Sequence, residues 1–375
     1  MSSAAMIIIF SVFNGLESVV KEMYKAFYAD IKITATRGKF FPVDTSRLNA
    51  IKHIDGVQNV TTEIEDNVFA VNNDQQKVIT LIGIENDYLK VNDLAQYIFD
   101  GDTVVSIGHP YTAIAGADIM NELGLDINTL STLTVNYPNP EITNPDLDPT
   151  SAIGSLDLHP AGVFKVGDEF DGRYVLAPLP LVQALFHEKG RCSSIEIKAD
   201  PGTVTDIQKQ LQTMLGSAFR VETRYEQNKT LYMAMGTEKL AIYAILVLVL
   251  LIASFNMVGA LSMLVLQKQK DIAILRAMGA LPATIRTIFL LEGVLWSLIG
   301  GLSGILTGCI ICLLQQKFGI VKLSGSSFVV DAFPVAIQWQ DILRVIATIT
   351  AVGLLISWYP AMRATRVVDP SLKST

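Results

Sequence analysis

Three long apolar runs dominate the second half of the chain. Residues 240–266 include no charged side chain, residues 287–314 include only Glu292, and residues 342–359 include only Arg344. About 20 apolar residues, each rising about 1.5 Å along a helix, cross the hydrocarbon core of a bilayer. The runs therefore predict three transmembrane helices, at about 240–266, 287–314 and 341–360.

A shorter apolar stretch, residues 2–13, lies at the beginning of the chain. It is too short to span a membrane by itself, and no basic residue precedes it, so it lacks the pattern of a secretory signal peptide. We interpret it as part of a first transmembrane helix whose start is missing from this sequence, with a helical stalk up to residue 29. The alternative is an ordinary flexible N-terminus.

A short charged segment, residues 268–280, separates the first two of these runs and must turn the chain around at one membrane face. Its apolar residues recur at helical spacing, at Ile272, Ile274, Leu275, Met278 and Leu281. Gly279 favours a helix end and Pro282 a helix start. The pattern predicts a short amphipathic helix at the membrane surface, with Ile272, Leu275 and Met278 on the side that a soluble partner contacts.

Charge sets the orientation of these helices. Residues 268–286 carry four basic side chains and one acidic one, and the C-terminal tail is also basic. Basic loops stay in the cytoplasm, so both segments are predicted to lie inside and residues 28–237 outside. This outer part holds 16 Lys and Arg against 28 Asp and Glu, a net charge of −12 in a chain of −7. Such an acidic domain argues against nucleic-acid binding.

The outer part, residues 30–230, is large enough for a packed domain of its own. Its first half has strand patterns at 31–35, 57–65, 67–71 and 77–84, with a helix between 44 and 56. Its last part has a strand, a helix and a strand at 194–198, 204–215 and 219–223. The pattern predicts an α+β domain whose two ends return to the membrane through helical stalks at 14–29 and 225–239.

One segment of the outer part is rich in proline and acidic residues. Residues 137–149 include Tyr137, Pro138, Pro140, Pro145 and Pro149. Proline lacks a backbone N–H, so the segment can form neither a helix nor a central strand. It is predicted to be a protruding, semi-rigid loop. An ordinary surface loop and a binding loop are equally good interpretations, although long irregular loops in compact domains are commonly functional.

The sequence offers no catalytic chemistry. It has neither a phosphate-binding Gly-x-x-x-x-Gly-Lys-Ser/Thr loop nor a Gly-x-Ser-x-Gly nucleophile elbow, and its four histidines are scattered without metal-ligand spacing. We therefore expect a protein that is not an enzyme and that binds neither a cofactor nor a metal. The membrane helices carry small and polar residues that favour close helix packing instead, at Asn256, Gly300, Gly304 and Gly308.

Several motifs resemble those of one superfamily. The segment Asp271-Ile-Ala-Ile-Leu-Arg-Ala-Met-Gly-Ala280 resembles the coupling-helix motif of the FtsX/MacB-type ABC permeases. Further matches are Ser11-Val-Phe-Asn-Gly-Leu-Glu17, Glu238-Lys-Leu, Phe255-Asn256 and residues 359–370. Within the superfamily, the chain is most similar to the lipoprotein-releasing permeases of the LolC/LolE type.

This resemblance implies a helical membrane bundle of four helices with a MacB-like α+β periplasmic domain at 30–230 and an FtsX-like permease domain at 231–375. It also implies a multi-pass protein of the inner membrane, paired with an identical or homologous permease subunit. Two copies of a separate cytoplasmic ATPase would use ATP and push on the coupling helix. The coupling residues carried over by the motif are Asp271, Ile272, Leu275, Arg276, Met278 and Gly279.

In such systems a lipoprotein is lifted from the membrane and handed to a periplasmic carrier, a mechanism called mechanotransmission. The proline-rich loop lies roughly where LolC-type members carry a hook for the carrier, although its sequence does not match closely. Two other interpretations stay open. A MacB-like exporter usually carries its ATPase in the same chain, and an FtsX-like regulator of cell-wall hydrolases has a smaller outer domain. A membrane-tethered hydrolase would need a nucleophile and base that the sequence lacks.

Overall fold

The computed structural model describes residues 1–103, 105–108, 110–129, 131–138, 153–322 and 332–366. The chain divides into two compact units. We call Met1–Val19 together with the described residues from Met233 onward the membrane unit, and the described residues of Val20–Tyr232 the outer unit. The chain passes from one unit to the other within helices.

The helices of the described residues are α1 (Ser2–Lys25), α2 (Thr45–Lys52), α3 (Tyr88–Val91), α4 (Ala117–Glu122), α5 (Asp168–Asp171), α6 (Leu179–Leu185), α7 (Val204–Leu215), α8 (Arg224–Gln227), α9 (Lys229–Gln267), α10 (Gln269–Ala277), α11 (Pro282–Phe318) and α12 (Trp339–Arg366). The strands are β1 (Ile31–Ala35), β2 (Phe41–Pro42), β3 (Val57–Asn72), β4 (Gln75–Ile84), β5 (Ile98–Gly101), β6 (Thr112–Gly116), β7 (Leu133–Pro138), β8 (Ile153–Phe164), β9 (Tyr174–Pro178), β10 (Arg191–Cys192), β11 (Ser194–Ala199) and β12 (Phe219–Thr223).

Four of these helices are long and apolar enough to cross a membrane, namely Ser2–Lys25, Lys229–Gln267, Pro282–Phe318 and Trp339–Ala364. The apolar stretch at 2–13 and the stalk predicted after it form one continuous helix, α1. The stalk predicted at 225–239 falls largely within α9, which begins at Lys229. In the core of the membrane unit, apolar side chains of α1 pack against α9, α11 and α12, with Met6, Ile7, Phe10, Ile305 and Ile349 at the centre.

The outer unit is built around a mixed sheet with the strand order β12-β1-β11-β3-β4-β9-β6-β8-β5, in which β7 pairs with β3 and β8. The α+β prediction is confirmed, and the predicted bounds of β1, β12 and α7 agree with the structure. The two strands predicted at 57–65 and 67–71 are one strand, β3. Asp66 does not interrupt it, because its carboxylate accepts a hydrogen bond from the Tyr137 hydroxyl at 2.9 Å and pairs with Lys39 at 2.5 Å.

Helices cover one end of this sheet and close its core. The Asp44 carboxylate caps α2 by accepting hydrogen bonds from the backbone N–H groups of Ser46 and Arg47, which satisfies donors that a helix start leaves free. Behind these caps, Ile51 of α2 and Leu211 of α7 are fully buried, and they belong to one apolar cluster with residues of β1, β11 and β12. This burial fixes both chain ends of the outer unit in one core.

Candidate coupling helix and outer-unit sites

The end of α10 is set by a glycine. Gly279 has a φ of +92°, a left-handed conformation that glycine adopts without steric cost. Its N–H donates to the Arg276 carbonyl at 2.9 Å, and the N–H of Ala280 donates to the Leu275 carbonyl at 3.0 Å. This is the Schellman arrangement that ends helices. Pro282 then occupies the first turn of α11, so both boundary predictions are confirmed.

One side of α10 is anchored in the membrane unit. Ile272 is 2% exposed, and it belongs to a buried apolar cluster with Val265, Ile285, Phe289, Ala361 and Ala364. The expectation that Ile272 faces a soluble partner together with Leu275 and Met278 is therefore corrected. Residues at i, i+3 and i+6 spread over about 120° of a helix, and Ile272 lies at the inner edge of that arc.

The opposite side of α10 is apolar and exposed. Ile274 is 59% exposed and Met278 79%, and these residues are one helical turn apart. Leu275, at 40%, lies between the anchored and the exposed side, and Leu281 continues the exposed surface beyond the helix end. We call Ile274, Leu275, Met278 and Leu281 the coupling surface. Soluble proteins rarely leave such a patch uncovered.

Charged residues border the coupling surface. Asp271, in the first turn of α10, pairs with Lys268 at 2.9 Å, and both side chains are exposed. An acidic side chain in the first turn suits the positive end of a helix dipole. Arg286, in the first turns of α11, lies with its guanidinium 3.8 Å from the centre of the Trp358 ring of α12. This cation–π contact joins the two helices next to the anchored side of α10.

The glycines predicted to form one packing strip belong to different surfaces. A side chain at Gly304 would collide with Ser3 and Ala4 of α1, and one at Gly308 would lie 3.0 Å from the Ala4 carbonyl oxygen. Gly300 is exposed, with nothing within 4 Å of a Cβ placed there. Of these three glycines, Gly304 and Gly308 are therefore packing residues of the α1–α11 contact, and Gly300 is not.

Two other glycines of α11, Gly293 and Gly301, contact α12 instead. A Cβ at Gly301 would lie 2.8 Å from Cγ2 of Ile349, and one at Gly293 would collide with Ser357. Asn256 of α9, which was also predicted to pack within the bundle, is exposed. It lies on a largely uncovered helix whose exposed apolar residues include Ile245, Leu248, Val249, Ile252 and Phe255.

The outer unit buries a charged cluster in its sheet. Lys32 of β1 lies opposite Glu196 of β11, and Glu63 of β3 lies opposite Ser194. The Lys32 ammonium donates to Glu63 Oε1 at 2.7 Å and lies 3.6 Å from Glu196 Oε1. Asn92 donates from Nδ2 to Glu196 Oε2 at 2.5 Å. The strand register thus brings one cation and two buried carboxylates together inside the unit, and the partly exposed Glu65 lies 3.7 Å from the Lys32 ammonium.

Burial alters the protonation of this cluster. Burial, and after it the neighbouring Glu63, raise the pKa of Glu196 to about 8, and Lys32 opposes this shift. Burial by itself lowers the pKa of Lys32, but the surrounding carboxylates outweigh it and raise that pKa well above its ordinary value. Lys32 therefore stays charged at neutral pH, whereas Glu196 is largely protonated.

The proline-rich segment connects two strands of a hairpin. The prediction that the loop begins at Tyr137 is wrong, because Tyr137 and Pro138 are the last residues of β7 and pair with Gly154 and Ile153 of β8. The rest of the predicted loop, with Pro140, Pro145 and Pro149, lies outside the described residues. Near this hairpin, Phe69 of β3 and Val78 of β4 are directly paired, and each is 56% exposed. An apolar pair of this kind on an outer strand face favours contact with a partner.

Sequence reasoning missed a polar cluster inside the membrane unit. Asn14 of α1 donates from Nδ2 to Asp341 Oδ2 of α12 at 2.7 Å. Its Oδ1 accepts a hydrogen bond from Lys239 Nζ of α9 at 2.6 Å. We call Asn14, Lys239 and Asp341 the helix clasp. The available signal was that the Ser11–Glu17 and Glu238-Lys-Leu motifs each place a polar residue in or beside an apolar helix.

In the part of the chain that the structure describes, no three His, Cys, Asp or Glu side chains come together in a way that could hold a metal ion. Four membrane-length helices, a short anchored surface helix and an α+β outer unit are features of a membrane permease. Two family models match this arrangement: the MacB-like periplasmic core domain over residues 1–214, and the FtsX-like permease C-terminal domain over residues 243–368. The chain belongs to this family of FtsX/MacB-type ABC transporter permeases.

Within that class, the chain is similar to lipoprotein-releasing system transmembrane proteins. LolC of Xylella fastidiosa is 26% identical over 296 residues, which cover 76% of this chain and 70% of the relative. LolE of Haemophilus influenzae is 27% identical, over 70% of this chain and 64% of the relative. LolC of Neisseria meningitidis is 22% identical, over 96% of this chain and 88% of the relative. The resemblance to the LolC/LolE type that the motifs predicted is confirmed.

Proposed function

We propose that this chain is a permease subunit that releases lipoproteins from the inner membrane to a periplasmic carrier. Its similarity to LolC and LolE extends over most of the chain, which supports this substrate. In the proposal, residues 30–230 form the periplasmic domain and residues 231–375 the permease domain. ATP is used by two copies of a separate cytoplasmic ATPase, and this chain binds no cofactor itself.

The observation that carries the proposal is the two-sided environment of α10. Ile272 fixes the helix to α9, α11 and α12 through its buried cluster, while Ile274 and Met278 remain exposed. A partner that grips the exposed side would therefore move the ends of three membrane helices together, because packed cores shift between discrete arrangements and do not deform continuously. Through α10, closure of the ATPase would be converted into movement of the membrane helices, and no substrate channel is needed.

The exposed side of α9 supports a second permease subunit. Its apolar residues and Asn256 are left uncovered within this chain. Lipid can cover the apolar side chains, but it offers no hydrogen bond to an amide, whereas a neighbouring helix does. We propose that α9 of an identical or homologous subunit packs here and accepts or donates a hydrogen bond at Asn256.

The hairpin of β7 and β8 is the proposed carrier-binding region. Phe69 of the exposed Phe69–Val78 pair lies on β3, a strand next to β7. The acidic residues of the loop, Glu141, Asp146 and Asp148, would suit a carrier with a basic rim. Shortening residues 139–152 to a Gly-Ser linker is expected to weaken carrier binding. Unchanged carrier affinity would mean that the loop is an ordinary surface loop, or that this chain has the lipoprotein-receiving role.

The proposal is tested by reconstitution. The chain is placed in liposomes with the ABC ATPase, the second permease and the carrier of the same organism, and lipoprotein transfer to the carrier is measured after ATP is added. Wild type should transfer lipoprotein only with ATP. The double substitution Ile274→Glu and Met278→Glu should reduce transfer by about tenfold or more, because burying two charges in an apolar contact costs more than 1.4 kcal/mol.

The double substitution Ala273→Glu and Ala277→Glu serves as the matched control, because it adds the same two charges, at the same spacing, to exposed positions on another side of α10. It should leave transfer nearly unchanged. Full transfer by the Ile274→Glu and Met278→Glu variant would disprove the coupling role of this surface. ATP-dependent export of peptides, or activation of a cell-wall hydrolase, without lipoprotein transfer would identify a MacB-like exporter or an FtsX-like regulator respectively.

A further inference from the structure

We infer that the helix clasp is a positioning element that makes α1, α9 and α12 move as one body during transport. The inference rests on the proposed function, since it concerns how helix movement reaches the outer unit. Asn14 bridges the other two residues, accepting from Lys239 with one end of its amide and donating to Asp341 with the other. A single side chain thereby joins three helices.

Burial makes this geometry hard to change. Asn14 is 2% exposed and Asp341 3%. A buried amide or carboxylate that loses its partner keeps the full cost of having left water. Apolar contacts between helices can slide with little loss, whereas sliding any one of these three helices would leave a buried charge without its partner. The clasp therefore selects one relative position of α1, α9 and α12.

The charges of the clasp and its neighbours balance. Lys239 Nζ lies 3.9 Å from Asp341 Oδ2 and 4.0 Å from Glu17 Oε2. Arg344, one turn further along α12, donates to Asp341 Oδ1 at 2.8 Å, and its side chain is 56% exposed. Two cations thus face two carboxylates. Arg344 lies on the same helix as Asp341, so this pair does not join α12 to another helix. Lys239 lies beside Asp341 from α9 and therefore does join two helices.

The backbone around the clasp is also fitted to α1. The N–H of Ala336 donates to the Ser11 carbonyl at 2.8 Å, and Asn14 Nδ2 donates to the Ala336 carbonyl at 3.3 Å. Gly15 lies so close to Pro334 that an added Cβ would collide with the Pro334 carbonyl. The segment before α12 therefore lies directly on α1, and it needs glycine at position 15.

The position of the clasp along the chain gives it a role in transmission. The chain leaves the membrane unit after Val19 and returns to it at Met233. Asn14 and Lys239 lie within about two helical turns of these crossings, and both crossings occur inside the continuous helices α1 and α9. The clasp ties α12 to both helices that continue into the outer unit. When α12 moves, α1 and α9 therefore move with it.

The test separates transmission from folding. Lys239→Met and Asp341→Asn are each made in the full transport complex in liposomes. Each should lower the lipoprotein released per ATP hydrolysed by about tenfold, a size typical of coupled polar pairs, with complex assembly and ATPase activity retained. Arg344→Met is the matched control and should change the ratio less than about twofold. The conservative variant Lys239→Arg, which keeps a cation beside Asp341, should retain most of the wild-type ratio.

A second measurement needs no lipoprotein. Amide hydrogen exchange of the full complex, with and without a non-hydrolysable ATP analogue, should show Ala336 protected in both states of the wild type and opened by the analogue in the Lys239→Met variant. If the wild-type complex releases no lipoprotein, the proposed function is refuted. The hydrogen exchange of Ala336 then tests by itself whether the clasp holds the three helices together. Release that falls only in proportion to assembly or ATPase activity, or unchanged exchange in the variant, would overturn the inference.

Discussion

The outer unit and the membrane unit both bury charged groups, but they differ in how their apolar surfaces are covered. In the outer unit, Lys32, Glu63 and Glu196 lie within one sheet, and the strand register alone brings them together. In the membrane unit, the helix clasp joins separate helices. Only 11% of the most apolar stretch of α9 is buried, against 44% in α1. The outer unit completes its own core, whereas the membrane unit leaves faces that lipid or partners must cover.

The largest expected effect on stability comes from removing the cation of the charged cluster in the outer unit. Lys32→Met removes the cation between Glu63 and Glu196, so a buried carboxylate loses its partner. Breaking a buried pair typically costs about 3–5 kcal/mol. The free energy of unfolding of the outer unit should fall by this amount, measured by amide hydrogen exchange of β1 and β11 in the full chain. Lys198→Met, which removes an exposed ion pair with Asp93, should cost less than about 1 kcal/mol.

The next effect tests the contact that holds α1 in the membrane unit. Gly304→Leu forces a bulky side chain against Ser3 and Ala4, and overpacking of this kind costs about 1–3 kcal/mol. The amides of α1 should exchange faster, and the thermal stability in detergent should fall. Gly300→Leu, one turn away and facing open space, should leave both unchanged. Equal effects of the two substitutions would show that Gly304 is not part of this contact.

The next effect depends on pH and is smaller per pH unit. It tests the protonation of Glu196 in the charged cluster of the outer unit. Folded Glu196 keeps its proton up to about pH 8, whereas an ordinary glutamate loses it near pH 4.5. The folded state therefore binds more protons between these values, and the stability of the outer unit should fall as pH rises through this range. The slope from this one group is at most about 1.4 kcal/mol per pH unit. Glu196→Gln should flatten it, and an unchanged slope would exclude Glu196 as its source.

The smallest effect on folding is expected on α9. Phe255 is 68% exposed, so Phe255→Ala should change the stability of the single chain by less than about 0.5 kcal/mol. The same substitution at Phe10, which is 2% exposed, should cost about 3–5 kcal/mol. If α9 packs against a second subunit, Phe255→Ala should weaken only the association of two chains, measured by co-purification in mild detergent.

Local features of the chain were predictable from sequence because neighbouring residues determine them. Gly279 and Pro282 mark the end of α10 and the start of α11 by their backbone preferences alone. The strand patterns likewise predicted the bounds of β1 and β12, and the Pro-Gly turn at 201 and 202 marked the start of α7. The break expected at Asp66 was wrong, because Tyr137 and Lys39 compensate its charge from elsewhere in the fold.

The sites depend on residues that are distant along the chain, and periodicity cannot identify those. Which side of α10 is buried depends on Ala361 and Ala364 of α12, so spacing within α10 placed Ile272 on the wrong side. Asn14 and Asp341 are 327 positions apart. Both occur in helices predicted only from their apolar content, and a polar residue in such a helix does not identify its partner.

The contact between Arg286 and Trp358 has a consequence for how the cell must make this protein. Arginine and tryptophan favour the level of the lipid headgroups, so this pair marks the predicted cytoplasmic boundary of the membrane. If that boundary is correct, the coupling surface of α10 faces water and not lipid. Until a partner covers Ile274 and Met278, the chain exposes an apolar patch that favours aggregation. Its synthesis therefore has to be matched to that of its partner, because surplus copies would aggregate or be degraded.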